Sequence, residues 1–232
     1  MVLIRYITYF VAVAVVTYLL TLLEIASPGA LRLQTFSGPG DVLGTSEYSP
    51  IETIQSLILI ACGSLLAWTA RHCPPQRPIA IMFGGLALIF LLRELDYFLD
   101  TNIADNFWQV MTGVVLALII VYCYRNWRRL RIAWFRVWPS PGLTLFFAGA
   151  IVVFACTTFL GHEPFWQAVL GEQYQRLVKL TVEELIEYTG YTLWMIGTIE
   201  YTYQARAITR QEPQTVVAKR RAGRQPKSGG RF

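Results

Sequence analysis

The sequence predicts an all-α fold, a polytopic transmembrane helical bundle of six spans with both termini on the cytoplasmic side. Three observations predict it. Of the 232 residues, 54% are hydrophobic and only 15% are charged, against about 25% charged in an average soluble domain. Six apolar runs approach the roughly 20 residues that cross about 30 Å of hydrocarbon as helix. When the chain is made to cross six times, its basic residues collect on one side.

The spans are expected at 2–25, 51–70, 79–97, 107–124, 143–160 and 182–203. The first run is longer than the apolar core of a signal peptide and no clean A-x-A-like site follows it, so a retained span is expected. The loop after it, 26–50, carries Ser27-Pro28-Gly29 and Ser37-Gly38-Pro39-Gly40, turn formers that predict an irregular outer cap. Spans four and five are joined by Arg125-Asn126-Trp127-Arg128-Arg129-Leu130-Arg131, basic and aromatic residues that suit an anionic inner leaflet. Between spans five and six, Phe165, Trp166, Val169, Leu170, Tyr174, Leu177 and Val178 recur at helical spacing. That pattern predicts a helix lying flat in the outer interface over 163–180. Residues 1–210 then form one membrane domain, and 211–232, polar and basic, form a disordered cytoplasmic tail.

This threading places 16 of the 20 basic residues inside and leaves Arg32, Arg93, Arg176 and Lys179 outside. The acids divide the other way: all but Glu200 and Glu212 lie outside, 13 of 15. Lys and Arg set orientation and acids contribute little to it, so the acidic bias needs another cause. The net charge of +5 belongs to this inner-surface pattern, with membrane lipids as partner, and does not predict nucleic-acid binding. Cys62, Cys73, Cys123 and Cys156 form no C-x-x-C pair, so reduced thiols packed as small apolar groups are expected rather than disulfides or a thiolate zinc site.

The acids cluster at the outer span ends. Span three closes on Arg93-Glu94-Leu95-Asp96, with Asp100 one turn on. On an unbroken helix Arg93, Asp96 and Asp100 share a face and Glu94 points away from it. Span six opens on Glu183-Glu184-Leu185-Ile186-Glu187, with Glu183 and Glu187 one turn apart. Glu24 closes span one and Glu52 opens span two, so four spans present acids at one depth. Ionisable groups inside a span face the bundle or a wet cavity and mark function by default. The plainer reading has Arg93 and Glu94 as a structural or gating ion pair, with Glu52, Glu183 and Glu184 in first helical turns where the macrodipole favours anions. On the functional reading, Glu52, Asp96, Asp100, Glu183 and Glu187 line one outward pocket. Such hard oxygen donors suit Mg²⁺, Ca²⁺ or Mn²⁺, and crowded carboxylates suit protons. His162 is a lone loop histidine, more simply a surface residue than a ligand, and His72 lies at the opposite side.

The two stretches, Arg93-Glu94-Leu95-Asp96 with Asp100 and Glu183-Glu184-Leu185-Ile186-Glu187 with Gly190, resemble a pattern in uncharacterised bacterial polytopic inner-membrane proteins. The resemblance covers spans three and six, implies a multi-pass protein of the bacterial inner membrane, and carries no activity. The chain lacks the multiple histidines of the CREST membrane hydrolases. Three functions stay open. One is a small transporter that binds a cation or proton; beyond the acids its inward path would have only Ser56, Ser64, Tyr191, Thr192, Thr198 and Glu200. A second is a metal-dependent membrane enzyme acting on a lipid or lipid-linked substrate, for which no nucleophile or base stands out. The third is a non-catalytic component binding a protein partner or a second copy of itself.

Overall fold

A computed structural model describes residues 2–27, 30–31 and 50–222 of the chain. All regular structure among them is helical, and five helices are long and apolar enough to cross a membrane. These are α1 (Val2–Ala26), α2 (Pro50–His72), α3 (Arg77–Glu94) with the short turn Pro74–Gln76 before it, α5 (Phe107–Arg125), and the run from Pro141 to Leu160. That last run is composite: α7 (Pro141–Ile151), a π turn (Val152–Cys156) and α8 (Thr157–Leu160). Most of the expected outer cap lies outside the described residues.

The sixth expected span lies within α10 (Arg176–Ala222), a single helix of 47 residues, about 70 Å long at 1.5 Å per residue. It is not among the five, since its acids Glu183, Glu184, Glu187 and Glu200 together with its many Tyr, Thr and Gly residues lower its apolarity. Yet it is the axis of the fold. Tyr191, Trp194, Thr198, Tyr201 and Ala205 are all buried, with α7 on one side and α2 on the other. The helix continues to Ala222, into the segment expected as a basic tail; residues 223–232 lie outside the described part.

The α7–α10 contact rests on four glycines. Gly142 and Gly149 are seven residues apart on α7, as are Gly190 and Gly197 on α10. A side-chain carbon added at Gly149 would sit 2.7 Å from the Gly190 carbonyl oxygen, and one at Gly142 would sit 2.7 Å from the Tyr201 nitrogen. Hydrocarbon supplies no hydrophobic drive between spans, so such close backbone approach is a main source of cohesion. Ser140 caps α7, its hydroxyl accepting from the Leu143 amide at 3.3 Å, with Pro141 in the first turn. Both choices favour a helix start.

Helix α2 runs parallel to α10 and meets it at three positions seven residues apart on α2. The amide of Gln55 donates to Glu184, Cys62 lies 3.5 Å from the Met195 sulfur, and the Thr69 and Thr202 hydroxyls are 3.0 Å apart. Helix α3 packs on α2 and reaches α7 and α10 through large rings. Phe83 stacks on Phe146 at 4.3 Å, and Phe90 meets Trp194 edge-on at 4.9 Å. Helices α1 and α5 are peripheral: α5 buries no residue, and nothing in the apolar window of α1 is buried. Side chains such as Phe10, 75% exposed, and Leu118, 63% exposed, form apolar surface of a kind that water does not tolerate over whole helices but lipid does.

Two connectors differ from expectation. The stretch 163–180 is not one flat helix but α9 (Glu163–Leu170), a tight turn (Gly171–Gln173) and the opening of α10. Gly171, at φ 55°, provides the left-handed backbone that breaks the run. Between α5 and α7, the basic segment forms α6 (Trp127–Val137). Leu130, Ala133 and Val137 are buried along one face, while Arg128, Arg129 and Arg131 are exposed.

Candidate functional site

Helix α3 stops at Glu94. Leu95 takes φ −103° and ψ 14° and ends the α3 ladder, and α4 (Asp96–Asn102) starts afresh. The expected continuous face of Arg93, Asp96 and Asp100 is therefore interrupted. No glycine or proline marks the break, so helical periodicity carried straight through it.

Instead, Arg93 turns toward α10. Its guanidinium donates to Glu187, whose side chain is 4% exposed, and its Nε lies 3.8 Å from Glu94 Oε1. Glu94, expected to point away, is enclosed almost as fully as Glu187, at 5% side-chain exposure. It accepts a 2.5 Å hydrogen bond from the hydroxyl of Tyr191, itself fully buried one turn below Glu187. Phe90 leans edge-on against Tyr191 at 5.8 Å. Two largely buried carboxylates thus share one guanidinium, and a phenol donates to one of them, a charge-assisted set.

A third carboxylate adjoins them. Glu184 accepts from Gln55 Nε2 at 3.1 Å, and the same amide nitrogen reaches the Glu184 backbone carbonyl at 3.1 Å. Gln55 is wholly buried and its own Oε1 has no hydrogen-bond partner among the described residues. Glu184 lies within electrostatic reach of Glu187, Glu52 and Glu183. The macrodipole account of Glu183 and Glu184 fails, since α10 begins at Arg176 and both lie about two turns in, beyond the first-turn range of that effect.

No protein-family model matches the chain, and no curated protein or solved structure is similar to it. Of the five acids expected in one pocket, Glu187 is at the centre. Asp96 lies within electrostatic reach of Glu187, and Glu52 within reach of Glu184. Glu183 pairs with Lys179 at 3.2 Å along its own helix. Asp100 sits on α4 with Oδ1 buried and no hydrogen-bond partner among the described residues. Among those residues no three or more acid, histidine or cysteine side chains are grouped so as to hold a metal ion. His162 is exposed at the start of α9.

The residues that the pocket reading left out are Glu184, Gln55 and Tyr191. A signal for them existed: Glu184, Glu187 and Tyr191 follow at three and four residues, one helical stripe, and Gln55 is a lone amide in an apolar span. At the opposite end, Glu200 is 6% exposed. It accepts from Arg5 at 3.0 Å and from the Tyr9 hydroxyl at 2.9 Å, both on α1. Its partner is thus Arg5, while Arg206 lies 4.1 Å over the ring of Trp68, a cation–π contact.

Proposed function

We propose that the chain is a six-span inner-membrane protein, N-terminus and C-terminus inside, whose outward-facing acidic centre of Arg93, Glu94, Glu187 and Tyr191 binds a proton as part of a proton-linked transport function. The observation that carries this reading is the charge count. Glu94 and Glu187 share a single guanidinium, and Glu184 adds a third carboxylate held by an amide. An uncompensated buried carboxylate is costly, and a bound positive charge removes that cost. A proton fits better than a metal because the carboxylate oxygens are already taken up by Arg93, Tyr191 and Gln55 rather than turned toward one shared point.

Support for transport over anchoring comes from polar groups continuing along the α2–α10 seam. Below Glu184 and Gln55 this seam carries Cys62, Thr198, Thr69 and Thr202. The orientation follows from the Lys/Arg bias, and the bacterial inner membrane from the resemblance of the Arg93–Asp100 and Glu183–Gly190 stretches.

Proteoliposomes test it. With a pH-sensitive dye inside, an imposed pH gradient should decay faster with the protein than without it, and Glu187→Gln or Glu94→Gln should remove the difference. Equal decay for wild type and both variants would defeat the reading, and decay driven by a sodium or potassium gradient alone would replace the proton by that cation.

A further inference from the structure

At the opposite, basic end, two concavities meet at the same residues. One is an open groove of about 730 Å³ on the lipid-facing side, between α2, α3 and α5. It is floored by Gly63 and Ala67 of α2 and by Gly84 of α3, and flanked by Leu88, Leu118 and Ile119. The other, also about 730 Å³, lies on the turn from α5 to α6 and is lined by residues 124–129, including Arg125, Arg128 and Arg129. Arg125 and Asn126 line both.

The groove exists because small residues face one another across it. Helix α5 touches α3 closely at Gly85, where a side-chain carbon would come within 2.6 Å of Ile119 Cδ1. Beside that contact, a carbon added at Gly63 would meet nothing within 4 Å. A lipid-facing trough with apolar walls forfeits dispersion contacts unless a chain fills it. Its long apolar shape suits an extended hydrocarbon tail.

The mouth makes the occupant specific. Tyr122 lines the groove and lies within electrostatic reach of Arg77 and Arg129. Arg77 is held there by its Nε, which donates to the Ala70 carbonyl at 3.1 Å. Arg125, Arg128 and Arg129 are exposed. Helix α6 is pinned by its buried Leu130, Ala133 and Val137, which keeps its arginines at headgroup depth, where cationic side chains attract anionic lipid. Guanidinium groups match phosphate geometry.

We propose that these two concavities form one binding site for an anionic phospholipid, an acyl chain in the α2–α3–α5 groove and the phosphate among Arg77, Arg125 and Arg129. It is separate from the acidic centre and stands or falls independently of it.

Native mass spectrometry of the full chain in mild detergent, titrated with phosphatidylglycerol, phosphatidylcholine or inorganic phosphate, tests this. Wild type should retain one phosphatidylglycerol with at least about tenfold preference over phosphatidylcholine. Gly63→Phe, which points into open space, should abolish retention of both lipids, and Ala67→Phe provides a second groove-filling variant should the first misfold. Arg125→Gln combined with Arg129→Gln should erase the preference while leaving weak binding of either lipid. Equal retention of the two lipids by wild type would overturn the site, as would groove-filled variants that still bind phosphatidylglycerol. Competition by inorganic phosphate as strong as by the lipid would reduce it to a headgroup patch and overturn the acyl-chain part. A change of oligomeric state in the groove-filled variants without loss of lipid would assign the groove to a second copy of the chain.

Discussion

Gly149→Ala is a severe test of how the bundle is held together. The added carbon would lie 2.7 Å from the Gly190 carbonyl oxygen and 3.1 Å from the Trp194 nitrogen. Both are backbone atoms of α10, so no rotamer change relieves the clash. Carbon–oxygen contacts are ordinarily no closer than about 3.3 Å, so α7 must move away from α10 by roughly half an ångström along much of its length. Overpacking of this kind costs about 1–3 kcal/mol. The upper part of that range applies here because Phe146 and Trp194, ring centroids 5.2 Å apart, pack across the same interface. Gly113→Ala on α5 is the matched control: nothing lies within 4 Å of its added carbon, and alanine is favoured over glycine in a helix by about 0.8–1.0 kcal/mol. The two variants should differ in opposite directions, with a gap of roughly 2–4 kcal/mol. Equilibrium unfolding in mixed micelles with increasing dodecyl sulfate measures both. If Gly149→Ala unfolds at the same midpoint as Gly113→Ala, close α7–α10 packing does not hold the fold together.

Further outcomes follow from other contacts. Arg93→Ala should destabilise by roughly 2–4 kcal/mol, below the full value for a buried pair because the arginine is 37% exposed; the same micelle titration reads it, and a loss under about 1 kcal/mol would show the pair to be an exposed one. Tyr191→Phe should cost about 1–2 kcal/mol, and in the Glu94→Gln background a smaller amount; additive losses would deny that the phenol acts through Glu94. Glu200→Ala removes the partner of both Arg5 and Tyr9, so spin labels on α1 and α10 should report a broader distance distribution, and an unchanged one would mean that α1 is held by other contacts. Cysteine labelling in intact cells should find Arg128 and Lys219 positions shielded and Ser37 and Glu172 positions accessible; the reverse would invert the membrane orientation.

The helices were legible because apolar runs announce themselves: α2 and α5 begin and end within about two residues of the expected spans. The sixth expected span falls inside α10, which is not among the five helices apolar enough to cross a membrane. What periodicity could not supply was the end of α3. Leu95 belongs to a stretch of good helix formers, and its non-helical dihedrals reflect tertiary placement rather than local preference. That one residue lies between Arg93, whose guanidinium pairs with Glu187, and the separate helix that carries Asp96 and Asp100. The glycine contacts were open to notice, because Gly142, Gly149, Gly190 and Gly197 stand at matching seven-residue intervals. Their meaning depends on α7 and α10 being neighbours, which short-range pattern does not reveal. The π turn at Val152–Cys156 likewise leaves no mark in the sequence; Thr157 Oγ1 donating to the Val152 carbonyl at 3.4 Å is its local signature.

The central claim is that the carboxylates around Arg93 hold an exchangeable proton. Infrared difference spectroscopy of the reconstituted protein, recorded as pH is stepped through the neutral range, addresses this most directly, because a protonated carboxyl has a carbonyl stretch distinct from that of a carboxylate. The account predicts a carboxyl band that appears and disappears with pH, is lost or displaced in Glu94→Gln and Glu187→Gln, and persists in Asp105→Asn on the exposed turn before α5. A spectrum with no titrating carboxyl band, or one unchanged in both glutamine variants, would contradict it and leave Arg93, Glu94 and Glu187 as a structural clasp between α3 and α10.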